Sequence, residues 1–168
     1  MKPLVKHVLS KELQLFFDTV VNDLMAVEGK PELTAAALKT LEQDAGLQQL
    51  VPYFLQFAAE GVPKHLRSPR LLLVLMQMLG CLLRNQYLFL EPYLHQMMPP
   101  ILTCLVGKRL AEDPTDTVHW MVRDEAAALV AAICTTYGSV YGSLVPRVAK
   151  TLAKAWLDAS KPLTTHYG

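Results

Sequence analysis

The stretch SPRLLLVLMQMLGCLLR, residues 68–84, decides the fold. Ser68 followed by Pro69 is a helix-start signal: serine suits the N-cap, and proline fits the first helical position, where no backbone donor is needed. From Leu71 to Leu83 the residues are apolar almost all round, and Gln77 is the only polar side chain between Arg70 and Arg84. This run is too short to cross a bilayer, which takes about 20 residues. A helix with no wet side must be covered by neighbours on several flanks. The rest of the chain has to supply them.

Outward from that helix, every segment reads as helical. Ser10 is the expected N-cap of a helix reaching about Ala26, with Leu13, Phe16, Phe17, Val20 and Leu24 on one face. Pro31 opens a second helix to about Asp44 on Leu33, Ala37, Leu38 and Leu41, stopped by Gly46. A third covers roughly 47 to 60. Glu91-Pro92 opens a short helix that Pro99-Pro100 should interrupt, with a second piece ending near Val106. Residues 107–117 read as a polar loop. A long helix spans about Val118 to Tyr137, with Val118, Val122, Ala126, Leu129, Ile133 and Tyr137 inward, and a last one runs from Ser143 to about Asp158. No β-branched alternation appears, so no sheet is expected.

Spacing adds a repeat. LVP at 50–52, MMP at 97–99 and LVP at 144–146 place Pro52, Pro99 and Pro146 at equal intervals of 47 residues. An apolar helix follows each, and after the first two a loop and a second helix precede the next proline. Two helices per unit of about 40–47 residues is the pattern of HEAT or armadillo repeats. The alanine clusters in ELTAAALKTLEQ (32–43) and VRDEAAALVAAI (122–133) would let second helices lie close to their neighbours. The expected fold is all-α, an α-solenoid of HEAT-type helical repeats.

Composition agrees with a packed domain. The chain has 168 residues, 52% of them hydrophobic and 18% charged, enough to bury a core and too apolar for disorder over most of its length. A net charge of +1 argues against a whole-domain nucleic-acid binder. Cys81, Cys104 and Cys134 are an odd number in apolar helical stretches and read as reduced core thiols. The first residues hold no apolar run suited to a signal peptide. A soluble, intracellular chain is expected.

No chemistry emerges from the polar clusters. Glu91 and His95 are one helical turn apart, but the H-E-x-x-H pattern is absent and Cys104 lies beyond a proline pair. Glu91 is better read as flanking a helix start, where the dipole favours a carboxylate. His119, Arg123 and Asp124 have no nucleophile nearby, and read as a solvated face, an inter-repeat salt bridge or a partner contact. Arg147, Lys150 and Lys154, extended by Lys161, form a basic stripe that could hold phosphates or an acidic protein, or be only the wet side of an amphipathic helix. Aromatics do not interleave with these bases, which disfavours a single-strand stacking platform. The glycines of GSVYGS (138–143) fit no phosphate-binding loop. No enzyme, cofactor, metal or small-molecule substrate is indicated.

Several stretches then resemble one family. LSKELQLFFDTV (9–20), DAGLQQLVPYFLQF (44–57), NQYLFLEPYLHQMMPPILTCLVGKRL (85–110), HWMVRDEAAALVAAI (119–133), RVAKTLAKAWLD (147–158) and KPLTTHYG (161–168) occur in the order found in the C-terminal HEAT-repeat domain of TBP-associated factor six, a family of general transcription factor IID (TFIID) subunits. The resemblance spans roughly residues 5–168. It implies a non-enzymatic, nuclear protein–protein scaffold within TFIID and related SAGA-type coactivators, serving RNA polymerase II initiation. Its implied partners are other TFIID subunits and a second copy of itself. The family's N-terminal histone fold is absent from this chain. On this reading residues 1–9 are a linker remnant and residues 10–168 the HEAT-repeat domain, its last repeat incomplete, with the apolar side of Val148, Leu152 and Trp156 partly uncovered and prone to self-association. Phe89 and Tyr93 are expected to order the turn between units, and the broken helix at Pro99-Pro100 to set the curvature. The candidate partner-contact residues are His119, Arg123, Asp124, Arg147, Lys150 and Lys154. The alternative is a DNA-contacting module using the Arg147–Lys154 face.

Overall fold

The computed structural model describes residues 9–168, and the linker expected over residues 1–9 lies outside that range except for Leu9. The helices are α1 (Lys11–Met25), α2 (Pro31–Gln43), α3 (Val51–Lys64), α4 (Pro69–Arg84), α5 (Leu94–Val106), α6 (Val118–Tyr137), α7 (Leu144–Leu157) and α8 (Leu163–Tyr167). Single 3-10 turns, Gln48–Leu50 and Glu91–Tyr93, lead into α3 and α5. There is no strand among the described residues. Successive helices pair as α1 on α2, α3 on α4 and α5 on α6, and the pairs stack through α2, α4 and α6 on one layer and α3 and α5 on the other. This is the expected all-α solenoid.

The helix that had to be covered is covered. α4 packs against α2, α3 and α6, and Leu72, Leu75, Met76, Met78, Leu79 and Leu82 are fully buried. Gly61 on α3 makes room for it, since a Cβ there would stand 3.1 Å from Leu75 Cδ1. Start signals act unevenly. The Ser10 hydroxyl accepts from the Leu13 N–H at 3.2 Å, whereas Ser68 makes no side-chain cap bond. α2 ends because the Asp44 carboxylate takes the Gly46 N–H at 2.7 Å, and no glycine among the described residues has a positive φ. On α2, Leu33 is exposed and Thr34 takes the inward position, donating to the Asp23 carbonyl at 2.8 Å.

The proline pair does not break α5, which runs through Pro99 and Pro100. An interior proline costs about 3 kcal/mol, but Met97, Met98, Ile101 and Leu105 are buried on the same helix, each contributing roughly 1.5–3 kcal/mol. Packing overrides the local signal. The equal proline spacing is also not the pitch of the solenoid. First-layer helices begin at Lys11, Val51, Leu94 and Leu144, steps of 40, 43 and 50 residues. Pro52, Pro99 and Pro146 therefore fall on successive first-layer helices, but at different depths.

Polar ties join the turns. The buried Asn85 amide donates to the Leu41 and Asp44 carbonyls, both at 2.8 Å, and its oxygen accepts from the Tyr87 N–H at 2.9 Å. Gln48 brackets Phe89, accepting from its N–H at 2.8 Å and donating to its carbonyl at 3.1 Å. Phe89 orders the turn through its backbone, while the residue as a whole is 59% exposed. The loop over 107–117 is less polar than expected. Leu110 and Ala111 are buried, and the Glu112 N–H donates to the Arg67 carbonyl at 3.2 Å.

The last unit departs from the pattern. α7 makes its contacts with α6 and α8, and the unanticipated α8 lies against α5. α8 is pinned by three contacts, one to the loop before α6 and two to α6 itself. The Thr164 hydroxyl donates to the Lys108 carbonyl at 2.7 Å, the Tyr167 hydroxyl donates to Asp124 at 2.8 Å, and the Tyr167 ring meets Trp120 edge-on at 4.7 Å. Val148 is buried and Leu152 half-buried, but Trp156 remains 66% exposed.

Candidate functional site

The two polar clusters singled out in the sequence have opposite fates. His119 and Arg123 were expected on a wet or contact face of α6, but they are 5% and 1% exposed. Their positions on the helix extend the inward stripe of Ala126, Val130 and Ile133, so the fold carries them into the core. Arg123 spans to the end of α5, donating to the Leu105 carbonyl at 3.1 Å and the Gly107 carbonyl at 2.8 Å. Those carbonyls lie at the end of α5, where acceptors lack intrahelical donors and the helix dipole is negative. A buried cation is thereby matched without a carboxylate. Burial holds its guanidinium below the ordinary range, and Cys104 opposes that shift.

His119 sits beside it, tilted on Trp120 with ring centroids 4.2 Å apart. Burial, then repulsion from Arg123, holds its imidazole below the ordinary 6.5, with Asp116 opposing. Its Nδ1 and the Arg123 Nε are buried without a hydrogen-bond partner. Asp124 points the other way, is exposed, and accepts from Tyr167. Arg123 is therefore an internal fastener and His119 a packed core residue, and exposure leaves only Asp124 of that cluster on the surface.

Arg147, Lys150 and Lys154 are all exposed on α7. None makes an ion pair or side-chain hydrogen bond among the described residues. Residues 144–168 hold four of the sixteen Lys and Arg and one of the fifteen Asp and Glu, leaving twelve against fourteen elsewhere. The single acid, Asp158, is engaged by the Ser160 N–H and hydroxyl and by Lys161. This end is positive; the rest of the chain is slightly negative. Beside the stripe lies a groove of about 450 Å³ whose walls include Val106, Leu152, Trp156, Leu157, Thr165 and Tyr167. The Thr165 hydroxyl is buried there without a partner. Sequence reading missed this groove because α8, which closes one side of it, was not anticipated.

The remaining candidates are dispersed. Glu91 accepts from the Tyr141 hydroxyl, and His95 faces outward. Cys104 is fully buried, with burial pushing its thiol up to about 12 despite the opposing charge of Arg123. Burial likewise raises Cys81 to about 11. These thiols stay protonated, which makes them poor nucleophiles and ligands.

The family described as the TAF6 C-terminal HEAT repeat domain matches residues 5–168. A SAGA complex/TFIID complex subunit, Taf6 of Schizosaccharomyces pombe, is 50% identical over 167 residues, 99% of this chain and 37% of that protein. Transcription initiation factor TFIID subunit 6 of Arabidopsis thaliana is 48% identical over 164 residues, 98% of this chain and 30% of that protein. The chain thus spans about a third of the length of these curated relatives. A solved TAF6 C-terminal domain from Antonospora locustae superposes with a TM-score of 0.83 at 37% identity, covering 96% of this chain and 76% of that one. Shared sequence over nearly the whole chain and a shared helical stack lead to one conclusion: this chain belongs to the TAF6 C-terminal HEAT repeat family.

Proposed function

We propose that this chain is a non-enzymatic protein–protein scaffold of the nuclear transcription machinery, acting within TFIID and SAGA-type complexes to support RNA polymerase II initiation. The observation that carries the reading is that nearly the whole of this chain matches about a third of the length of relatives named as subunits of those complexes. The physics of the fold agrees with it. A stack of helix pairs joined by internal ties offers an extended surface for contacts. Its partners are other subunits of those complexes, with a second copy of the same chain among them. Of the surface candidates, Asp124, Arg147, Lys150 and Lys154 have the exposure such contacts need.

The test is co-purification from nuclear extract of an epitope-tagged protein carrying this domain, beside a version lacking it. TBP and other TFIID subunits should accompany the intact protein, and some should be lost with the deletion. An unchanged set of subunits after deletion overturns the scaffold role. The second reading, a DNA-contacting module, rests on the unpaired cations of α7 and requires binding to duplex DNA that falls steeply with salt.

A further inference from the structure

We infer that the α7–α8 end receives an acidic, amphipathic helical segment of a protein partner, its apolar side chains in the groove and its carboxylates on Lys150, Lys154 and Arg147. This deepens the scaffold reading and rests on it, by giving one contact surface a partner chemistry. Position comes first. Lys150, Ala153, Lys154 and Leu157 stand at i, i+3, i+4 and i+7 on α7, so they share one face. Ala153 and Leu157 also line the groove. An occupant lying in it runs beside both lysines.

The groove is built for apolar anchors. Of the residues lining it, Trp156 and Leu157 are 66% and 78% exposed, and the volume of about 450 Å³ falls within the roughly 300–1,000 Å³ typical of clefts that hold a ligand. An amphipathic helix seated by spaced apolar residues is a recurrent use of such a surface. Thr165 adds one buried hydroxyl still lacking a partner. Charge then selects among occupants. α7 carries three cations and no acid, and the one acid that follows it is already engaged. A second copy docked through the same face in a two-fold dimer would set this positive patch against itself, a costly arrangement. Duplex DNA would meet the cations but leave the exposed Trp156 and Leu157 unused, since its affinity comes mainly from phosphates. An acidic amphipathic segment satisfies both features.

The probe is a synthetic helical peptide with leucine and phenylalanine on one face and glutamate on the other, paired with a control in which lysine replaces every glutamate. Binding to the full chain is followed by fluorescence anisotropy, and the site is mapped from amide chemical shifts. The acidic peptide should bind and shift resonances of α7 and α8, and the lysine peptide should not bind. K150E/K154E should weaken binding roughly tenfold or more, a factor equal to about 1.4 kcal/mol. Leu157→Asp should do the same through the apolar side. All three substituted residues are exposed, so an unchanged circular dichroism melt establishes that the fold is intact.

Shifts confined to other helices overturn the proposal, as does acidic-peptide binding that survives K150E/K154E. So does tighter binding of duplex DNA at the same face, or self-association through Trp156 seen by sedimentation. Where the chain stands within a longer protein, the titration is repeated on that protein. Loss of binding there also overturns the proposal, because the groove is then filled from within. Failure here leaves the co-purification result standing, whereas an unchanged subunit set after deletion removes the scaffold role itself.

Discussion

Replacing Arg123 tests whether an interior cation fastens the end of α5. Arg123→Ala removes a side chain that is 1% exposed and leaves the Leu105 and Gly107 carbonyls without its donors. A hydrogen bond from a charged group contributes about 1.5–3 kcal/mol, and a buried acceptor left unmatched costs about 1–3 kcal/mol. Part of this is offset, because the guanidinium no longer has to be desolvated. A net loss of about 3–5 kcal/mol results, the scale seen when one side of a buried charged pair is removed. Each kcal/mol lowers the Tm of a domain this size by about 2–4 °C, so the midpoint should fall by about 6–20 °C. Arg123→Met separates packing from hydrogen bonding: it fills the space but donates nothing, and should still lose about 2 kcal/mol or more. Arg123→Lys can serve one carbonyl and should fall between. Urea titration and thermal melts followed by circular dichroism give the losses. Amide exchange gives the location, since the Gly107 N–H, bonded to the Thr103 carbonyl at 2.9 Å, should exchange faster. If Arg123→Met is as stable as the parent, the carbonyls do not need the cation, and Arg123 fills space only.

Asn85→Ala should cost about 2–4 kcal/mol in urea titration, because two hydrogen bonds to the end of α2 and one within its own loop are lost from a site 3% exposed. Leu79→Ala, at the fully buried centre of α4, should cost about 2–5 kcal/mol by the same assay. Glu42→Gln should change stability by less than about 1 kcal/mol, since the Arg84–Glu42 pair at 3.3 Å is roughly half exposed on both sides. His119 should make stability fall in acid. Its folded pKa lies below the ordinary 6.5, so the unfolded chain takes up the proton first. Its contribution is complete above 6.5 and is lost as pH drops through 6.5 toward the folded value, by at most about 1.4 kcal/mol per pH unit. His119→Gln should flatten that part of a plot of urea midpoint against pH.

Much of this architecture is legible in residue order because the decisive signals are periodic and local. The apolar run of α4 demands neighbours on several sides, and α2, α3 and α6 supply them. The α6 stripe from Val122 to Ile133 is buried as spaced. What residue type obscures, position could have shown. His119 and Arg123 stand at i and i+4 of a series continued by Ala126, Val130 and Ile133, so their spacing marks them as inward although their polarity suggests the opposite. What makes an inward arginine tolerable lies on another helix, at the Leu105 and Gly107 carbonyls, and no local pattern reveals it. Pro99-Pro100 fails as a break for the same reason, since burial of residues on both sides of the pair is a tertiary quantity. α8 is five residues long, too short for a hydrophobic period, and exists through contacts with α5, α6 and α7. The groove inherits that invisibility.

These differences have a mechanical consequence. In a solenoid each unit leans only on its neighbours, so stability is a sum of unit and interface contributions. The inner units hold the fully buried side chains of α4 and the polar ties of Asn85 and Arg123. α7 buries one residue, Val148, and the α8 beside it is a single short segment. That end should therefore open at lower free energy than the rest, as segments with few buried contacts do. It is also where unpaired cations and exposed apolar side chains coincide. A partner that binds only the closed arrangement stabilises it in proportion to the logarithm of its concentration over its Kd, so docking would order the part of the stack that the fold itself secures least. Amide exchange of α7 with and without the acidic peptide measures this directly. Protection should rise there while α4 is unaffected, and equal protection along the whole chain would show that the end is as firmly held as the middle.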